Sequence, residues 1–475
     1  MEITEDLISM YAPNANAISN GKKISQKNGF VKLNISKDKT LLFGECSGSG
    51  KSNYVTSVDF IDSTSPVFRC SCPSRQFPCK HAIGIMFDYL ANKTFEEAEI
   101  PEDIISKRNK IEVRKEKKEE AKKEPKKVNK AALTKKIKKQ IEGLDILDKF
   151  IAEIADRGIA NFVGNPIKLY EDLAKNMGNY YLNGAQILIR DIIIKMQALK
   201  KNLISDDEAF LEISKAVLKL NMLSKKARKY FNDKLQDEKL DNDADSIYED
   251  IGMIWQLEQL KELGLVKNNA RLIQLSFFVT YNEARKEYID TGIWLDLESG
   301  EISKTINYRP IKALKYVKSD DSIFDILSVP ELVYYPGGIN KRIRFENSSL
   351  EKLDNDDILK VIELSKKEDI ESQVKNVKNQ IKNILSEDTV FALIPFDEIG
   401  KSEDKYILSQ NGRFIRLKDR GNVQSTVNIL GSLPNRSLLH NNTLLGEYFY
   451  DEGSKKICVM PYAIISKEHI VRLMY

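Results

Sequence analysis

The chain has 475 residues, 42% apolar and 30% charged, which excludes fibrous and disordered classes and leaves room for two or three globular domains. Its net charge of +4 is uneven: residues 107–140 carry 16 Lys or Arg against 5 Glu, and the rest of the chain sums to −7. A cationic surface spread over the whole molecule is therefore excluded, and five cysteines in this length exclude a disulfide scaffold.

The first residues, Met1-Glu2-Ile3-Thr4-Glu5-Asp6, are acidic where a secretory leader is basic and then apolar, so a cytoplasmic protein is expected. Residues 30–35, 40–43 and 53–60 read as short strands, the last alternating with Tyr54, Thr56, Val58 and Phe60 on one face. A turn-rich cysteine segment follows. Ala82, Ile85, Met86, Tyr89 and Leu90 then recur at helical spacing, which predicts an amphipathic helix. A Lys/Glu strap starts at Lys107 and is interrupted by Pro125.

From Ala131 to about Leu263 the periodicity is helical, with stripes such as Ile137, Ile141, Leu144 and Leu147, or Leu188, Ile192, Ile193 and Met196. Phe210, Ile213, Val217 and Leu220 make a third. Beyond Ala270 the texture becomes strand-like at 271–280, 292–297, 341–345, 390–395, 405–417 and 456–460, with a helix at about 370–385. The most apolar run, around Leu275 to Val279, falls far short of the ~20 residues a membrane helix needs, and no membrane partner is expected.

The chemistry is concentrated in Cys70-Ser71-Cys72, a six-residue loop containing Pro73 and Pro78, and Cys79-Lys80-His81. Three of the five cysteines and one of three histidines fall within this segment. Zinc takes four tetrahedral ligands, and three thiolates with one imidazole form a closed set with no position left for water. Buried structural thiols need not cluster with a histidine, and a redox pair is normally C-x-x-C. The expected cofactor is one structural Zn2+ held by Cys70, Cys72, Cys79 and His81. No catalytic residue is expected.

This C-x-C, gap, C-x-H order resembles the SWIM zinc finger, and all four positions match. The approach through Gly44-Glu45-Cys46-Ser47-Gly48-Ser49-Gly50 and a strand is similar to bacterial members of that family. The resemblance covers roughly residues 25–90, with looser echoes at Trp294-Leu295-Asp296-Leu297-Glu298-Ser299-Gly300-Glu301 and Asn307-Tyr308-Arg309-Pro310. It implies a hairpin giving the first ligand pair, a helix start giving the second, and binding of DNA or protein. It also raises an AAA-type ATPase and a von Willebrand factor A protein as partners.

Other signals are weaker. Gly48-Ser49-Gly50-Lys51-Ser52 lacks the first glycine of a phosphate loop at the required spacing and precedes a strand instead of a helix, so it reads as a turn. Asp241-Asn242-Asp243-Ala244-Asp245 opens like a calcium loop but has Ser246 and Gly252 where Gly and Glu are needed. Cys46, Cys458, His440 and His469 read as structural or surface residues. The strap reads either as a solvated linker or as an arm contacting phosphates.

The expected fold is α+β and multidomain. Residues 1–106 form an N-terminal domain with a ββα-like finger at about 54–92, and 107–130 a basic linker. Residues 131–265 form a helical region and 266–475 a mixed, β-rich C-terminal domain. The finger is expected to present the loop from Pro73 to Pro78 and the outer side of the following helix, with Arg69, Arg75, Phe77 and Lys80 as contacts. A non-enzymatic module binding nucleic acid, DNA first, competes with a protein-interaction adaptor working with the ATPase and von Willebrand factor A partners.

Overall fold

The computed structural model describes residues 3–48, 52–61, 66–74, 78–108, 130–236, 244–314, 317, 319–421 and 423–474. The chain divides into two compact units, Met1–Lys127 and Val128–Tyr475.

The first unit begins with two helices, α1 (Glu5–Tyr11) and α2 (Ala15–Gln26). Each has a side-chain N-cap: Thr4 accepts from the Leu7 N–H, and Asn14 from the Ala17 N–H. Four antiparallel strands follow: β1 (Phe30–Ser36), β2 (Leu41–Cys46), β3 (Tyr54–Asp59) and β4 (Val67–Cys70). Helix α3 (Lys80–Leu90) carries the chain back across the sheet to β5 (Glu96–Ala98), which pairs parallel with β1 and gives the order β4-β3-β2-β1-β5. A left-handed Asn92 (φ 54°) closes α3, with Lys93 N–H donating to the Asp88 carbonyl.

The amphipathic reading of α3 is corrected here. It touches β2 and β3 as well as α1 and α2, and every residue from His81 to Asp88 is buried. Helices α1 and α2, which the sequence pattern does not announce, cover the outer side. A Cβ on Gly21 would lie 2.5 Å from Ile83 Cγ2, so only glycine lets α2 come this close. From His81 to Asp88 α3 consequently presents no exposed outer side, and Lys80 at its start is exposed.

Strand β3 also departs from simple alternation, since Ser57 and Asp59 are as buried as Thr56 and Val58. Asp59 is covered by two guanidinium groups: Arg108 donates at 2.7 Å and 3.2 Å, and Arg69 at 3.2 Å. Arg108, read as part of the solvated strap, is itself buried. Most of the strap, 109–129, lies outside the described residues.

The second unit opens with helices α4 (Lys130–Arg157), α5 (Ile159–Gly164), α6 (Ile167–Asn179), α7 (Asn183–Lys200) and α8 (Asp206–Gln236). The predicted stripes meet in one core, with Leu144, Leu147, Met177, Ile192, Met196 and Ile213 at its centre. Short helices α9 (Ile247–Asp250) and α10 (Leu257–Glu262) lead to a sheet of β6 (Val266–Asn282), β7 (Glu287–Asp296), β8 (Ile302–Pro310), β9 (Ile326–Tyr334), β10 (Ile343–Arg344) and β11 (Ser349–Glu351). The sheet curls until β8 reaches the opposite edge, where Lys304 and Arg342 form an isolated bridge.

Helices α11 (Asn355–Ser365) and α12 (Ile370–Ile381) precede a second six-stranded sheet. Its strands are β12 (Thr389–Ser402), β13 (Lys405–Gln410), β14 (Arg413–Leu417), β15 (His440–Asp451), β16 (Lys456–Ile465) and β17 (Ile470–Arg472), with helix α13 (Val427–Ser432) between β14 and β15. The two sheets share a core in which Ile273, Leu275 and Leu295 meet Phe391, Met460 and Tyr462. Asn340 joins them, donating to the carbonyls of Ile302 and Phe391 and accepting from the Phe391 N–H at 2.7 Å. Among the described residues no helix is long and apolar enough to cross a membrane.

Candidate metal centre

The β3–β4 hairpin brings up the first ligand pair. Cys70 stands opposite Thr56 at the end of β4, and Ser71 extends the ladder by donating to the Val55 carbonyl at 2.9 Å. Cys72 lies just beyond. Cys79 is the extended N-cap residue of α3 and has no side-chain capping bond of its own, while its carbonyl accepts from Ile83. His81 follows in the first turn, so the hairpin and the helix each contribute two ligands.

The four ligand atoms of Cys70, Cys72, Cys79 and His81 lie within 4.8 Å of one another. His81 Nδ1 is 3.8 Å from both Cys70 Sγ and Cys79 Sγ. Bonds of ~2.3 Å to sulfur and ~2.0–2.1 Å to nitrogen in a tetrahedron separate ligand atoms by roughly 3.6–3.8 Å. The side chains therefore fit a tetrahedral Zn2+, with Nδ1 as the imidazole ligand. Among the described residues this is the one cluster of three or more Cys, His, Asp or Glu poised for a metal.

The local electrostatics favour a thiolate at Cys79. A hydrogen bond from the Cys70 thiol holds the Cys79 thiol far below its ordinary range, at about 3, with help from His81 and the Ala82 N–H. The same bond, together with burial, pushes the Cys70 thiol up. A bound Zn2+ would resolve this competition by taking the place of the shared proton. Three thiolates around one Zn2+ leave a net −1 beside the helix N-terminus, whose dipole favours negative charge. The Tyr54 ring lies against His81, with centroids 5.0 Å apart, and restricts its rotation.

Cys46 is buried nearby, and burial pushes its thiol up to about 11, so it remains a neutral core residue. Cys458 is buried in the second unit, while His440 and His469 are exposed there, apart from any thiol cluster. The Gly48–Ser52 turn joins β2 to β3, which pair from Cys46 to Tyr54, and no helix follows it; residues 49–51 lie outside the described set. Residues 241–243 of the calcium-like run do as well.

Of the expected contact residues, Arg69 is held by Asp59, its side chain only 18% exposed. Arg75 and Phe77 lie outside the described residues. Lys80 is exposed and lines an open cleft of about 390 Å3 against the metal site, with Asn20, Ser47, Tyr54, Pro73 and Ser74. Asn20 and Tyr54 were missed in the sequence. Only their place beside the ligands marks them, and Asn20 comes from a helix the sequence reading did not assign.

The SWIM zinc finger family model matches residues 69–90, which span all four ligands and α3. The finger is thus a SWIM zinc finger. No curated protein matches the chain in sequence. A solved structure described as "Structure of murine DNA binding protein bound with ds DNA" is similar at 10% identity and a TM-score of 0.20, over 44% of this chain and 98% of that one. A likeness that loose carries no argument about this chain.

Proposed function

We propose that the finger unit is a non-enzymatic binding module that engages nucleic acid, DNA first, through its phosphates. The closed Cys3His set carries this reading: every metal position has a protein ligand, so the ion shapes a surface and activates no water. Beside it, Lys80 offers a cation in an open cleft. The buried α3 has no face to lay in a major groove, which favours backbone contact over base reading. Lys80, Arg75 and Phe77 are the finger contacts to test, and the strap supplies most of the cations.

The test is fluorescence anisotropy against DNA and RNA at several salt concentrations. The slope of log affinity against log salt is about −0.9 per phosphate contact on B-DNA. Deleting residues 109–127 should flatten that slope more than Lys80→Ala or Arg75→Ala does. No binding by the wild type at low salt would end this reading.

The acidic balance of residues 1–106, with 11 basic against 13 acidic side chains, favours a second reading as a protein adaptor. In that case the partners to try are an AAA-type ATPase and a von Willebrand factor A protein. Co-elution with either purified partner, unaffected by nuclease, decides for the adaptor.

A further inference from the structure

The basic run of residues 107–140 contains no aromatic side chain, yet its folded end meets two. Helix α6 stops at Asn179, and Tyr180 and Tyr181 lead the chain toward α7. Tyr181 has a left-handed backbone, φ 59°, its N–H donating to the Gly178 carbonyl and the Leu182 N–H to that of Met177. This pair of bonds is a Schellman cap, whose left-handed position favours glycine or asparagine. The same cap closes α2, α3, α7, α9 and α10 at Asn28, Asn92, Asn202, Gly252 and Gly264. A tyrosine there is strained, and the residue is 47% exposed, so burial does not explain it.

Helix α4 is shaped to hold this turn. Gln140, 1% exposed, donates from its side-chain amide to the Tyr181 carbonyl at 3.1 Å. A Cβ on Gly143 would lie 2.6 Å from Tyr180 Cβ, so glycine lets the turn seat against the helix. Lys136 and Lys139 place their ammoniums 5.5 Å and 5.3 Å from the centre of the Tyr181 ring, and Lys139 is 5.9 Å from that of Tyr180.

Neither lysine makes an ion pair among the described residues; Lys136 reaches the Met253 thioether at 3.5 Å. Burial holds the Lys136 ammonium below the ordinary lysine range, and no acid among the described residues offsets it. Lys135, one turn before Lys139, is exposed. Two cations without counter-charges over one exposed ring repel each other and favour an anion.

We propose that this turn is a stacking site for a single strand of RNA or DNA. Phosphates on either side draw Lys136 and Lys139 off the ring, and one base takes their place on Tyr181. Paired bases offer only their edges, so a duplex gains nothing from the ring. This inference rests on the nucleic-acid reading above and adds, in the second unit, the aromatic face that the strap lacks.

Fluorescence anisotropy of the full chain with labelled oligo-dT, oligo-U and a duplex tests it. Tyr181→Asn suits the left-handed turn, so it should keep or raise the thermal melt. It should weaken oligo-U, oligo-dT or both about fivefold or more, the arm affected marking RNA or DNA, and leave the duplex unchanged. Tyr181→Phe, which keeps the ring, should bind as wild type does. Lys136→Gln with Lys139→Gln should lower the salt slope on a single strand by about 1.4, at ~0.7 per phosphate contact. Both effects should persist when residues 109–127 are deleted. Nucleic-acid binding that neither Tyr181→Asn nor the lysine pair changes overturns this site and leaves the finger reading standing. No binding to any of the probes ends both. A duplex weakened as much as the single strands by Tyr181→Asn would also overturn it. So would displacement of the single strands by polyglutamate as readily as by unlabelled oligonucleotide, which would mark an acidic protein as the occupant.

Discussion

Asp59 sets how much of the finger's positive charge reaches solvent. Its side chain is 1% exposed and neutralises Arg69, one residue before the first ligand, and Arg108, at the root of the strap. Removing one partner of a buried ion pair costs ~3–5 kcal/mol, because the remaining charges are stranded. Asp59→Asn should therefore release zinc to a chromogenic chelator at a lower temperature than wild type. Both tryptophans, Trp255 and Trp294, lie in the second unit, so their fluorescence should not follow that release. Cys72→Ser should behave more severely, with zinc lost and the tryptophan melt unchanged. A tryptophan melt that moves with either substitution would show the two units to be energetically coupled. The four ligands were legible because metal chemistry demands fixed residue types at short spacing. The Asp59 clamp was not, since its partners lie 10 and 49 positions away and both arginines look like surface charge in sequence.

Helix α3 was legible as a helix and misread as a surface element. Its stripe was real, but Ile83 and Phe87 on the other side are buried as well, under α1 and α2. Crowding at that contact should make Gly21→Ala cost about 1–3 kcal/mol, read as earlier zinc release on heating. Strands β6, β7, β12, β13, β14 and β16 were legible at least in part, whereas β8, β15, β17 and β9 were missed, the last interrupted by Pro330. That proline sits across from Asn269, whose φ of 55° marks an irregularity in β6 that tolerates a missing donor. At the end of α9, burial raises the Asp250 carboxyl to about 6. The folded state then binds its proton more tightly than the unfolded chain, whose carboxyl titrates near ~3.9. Its contribution is full below the unfolded value and is lost as pH rises from about 4 through 6. Asp250→Asn should flatten the stability profile over that window and stabilise the second unit at pH 7 by about 1–2 kcal/mol, measured by urea melts followed through tryptophan.

At the scale of the whole chain, a zinc-dependent unit of about a quarter of the residues precedes a larger one with its own helical and two-sheet cores. Composition foresaw the change from helix to strand along the second unit, because periodicity survives in long elements. It could not foresee the cavity of about 960 Å3 in the second unit, because residues as distant in sequence as Arg190, Gln274 and Arg344 line it. The strap's charge was legible, yet its first arginine belongs to the folded finger unit. Structural zinc sites of this class contribute ~10–16 kcal/mol to folding, so the finger unit should exist only with its metal. Elemental analysis of freshly purified, reduced protein tests this most directly. The account predicts about one zinc per chain, falling to none in Cys72→Ser; a metal-free wild type that keeps its finger folded would contradict it.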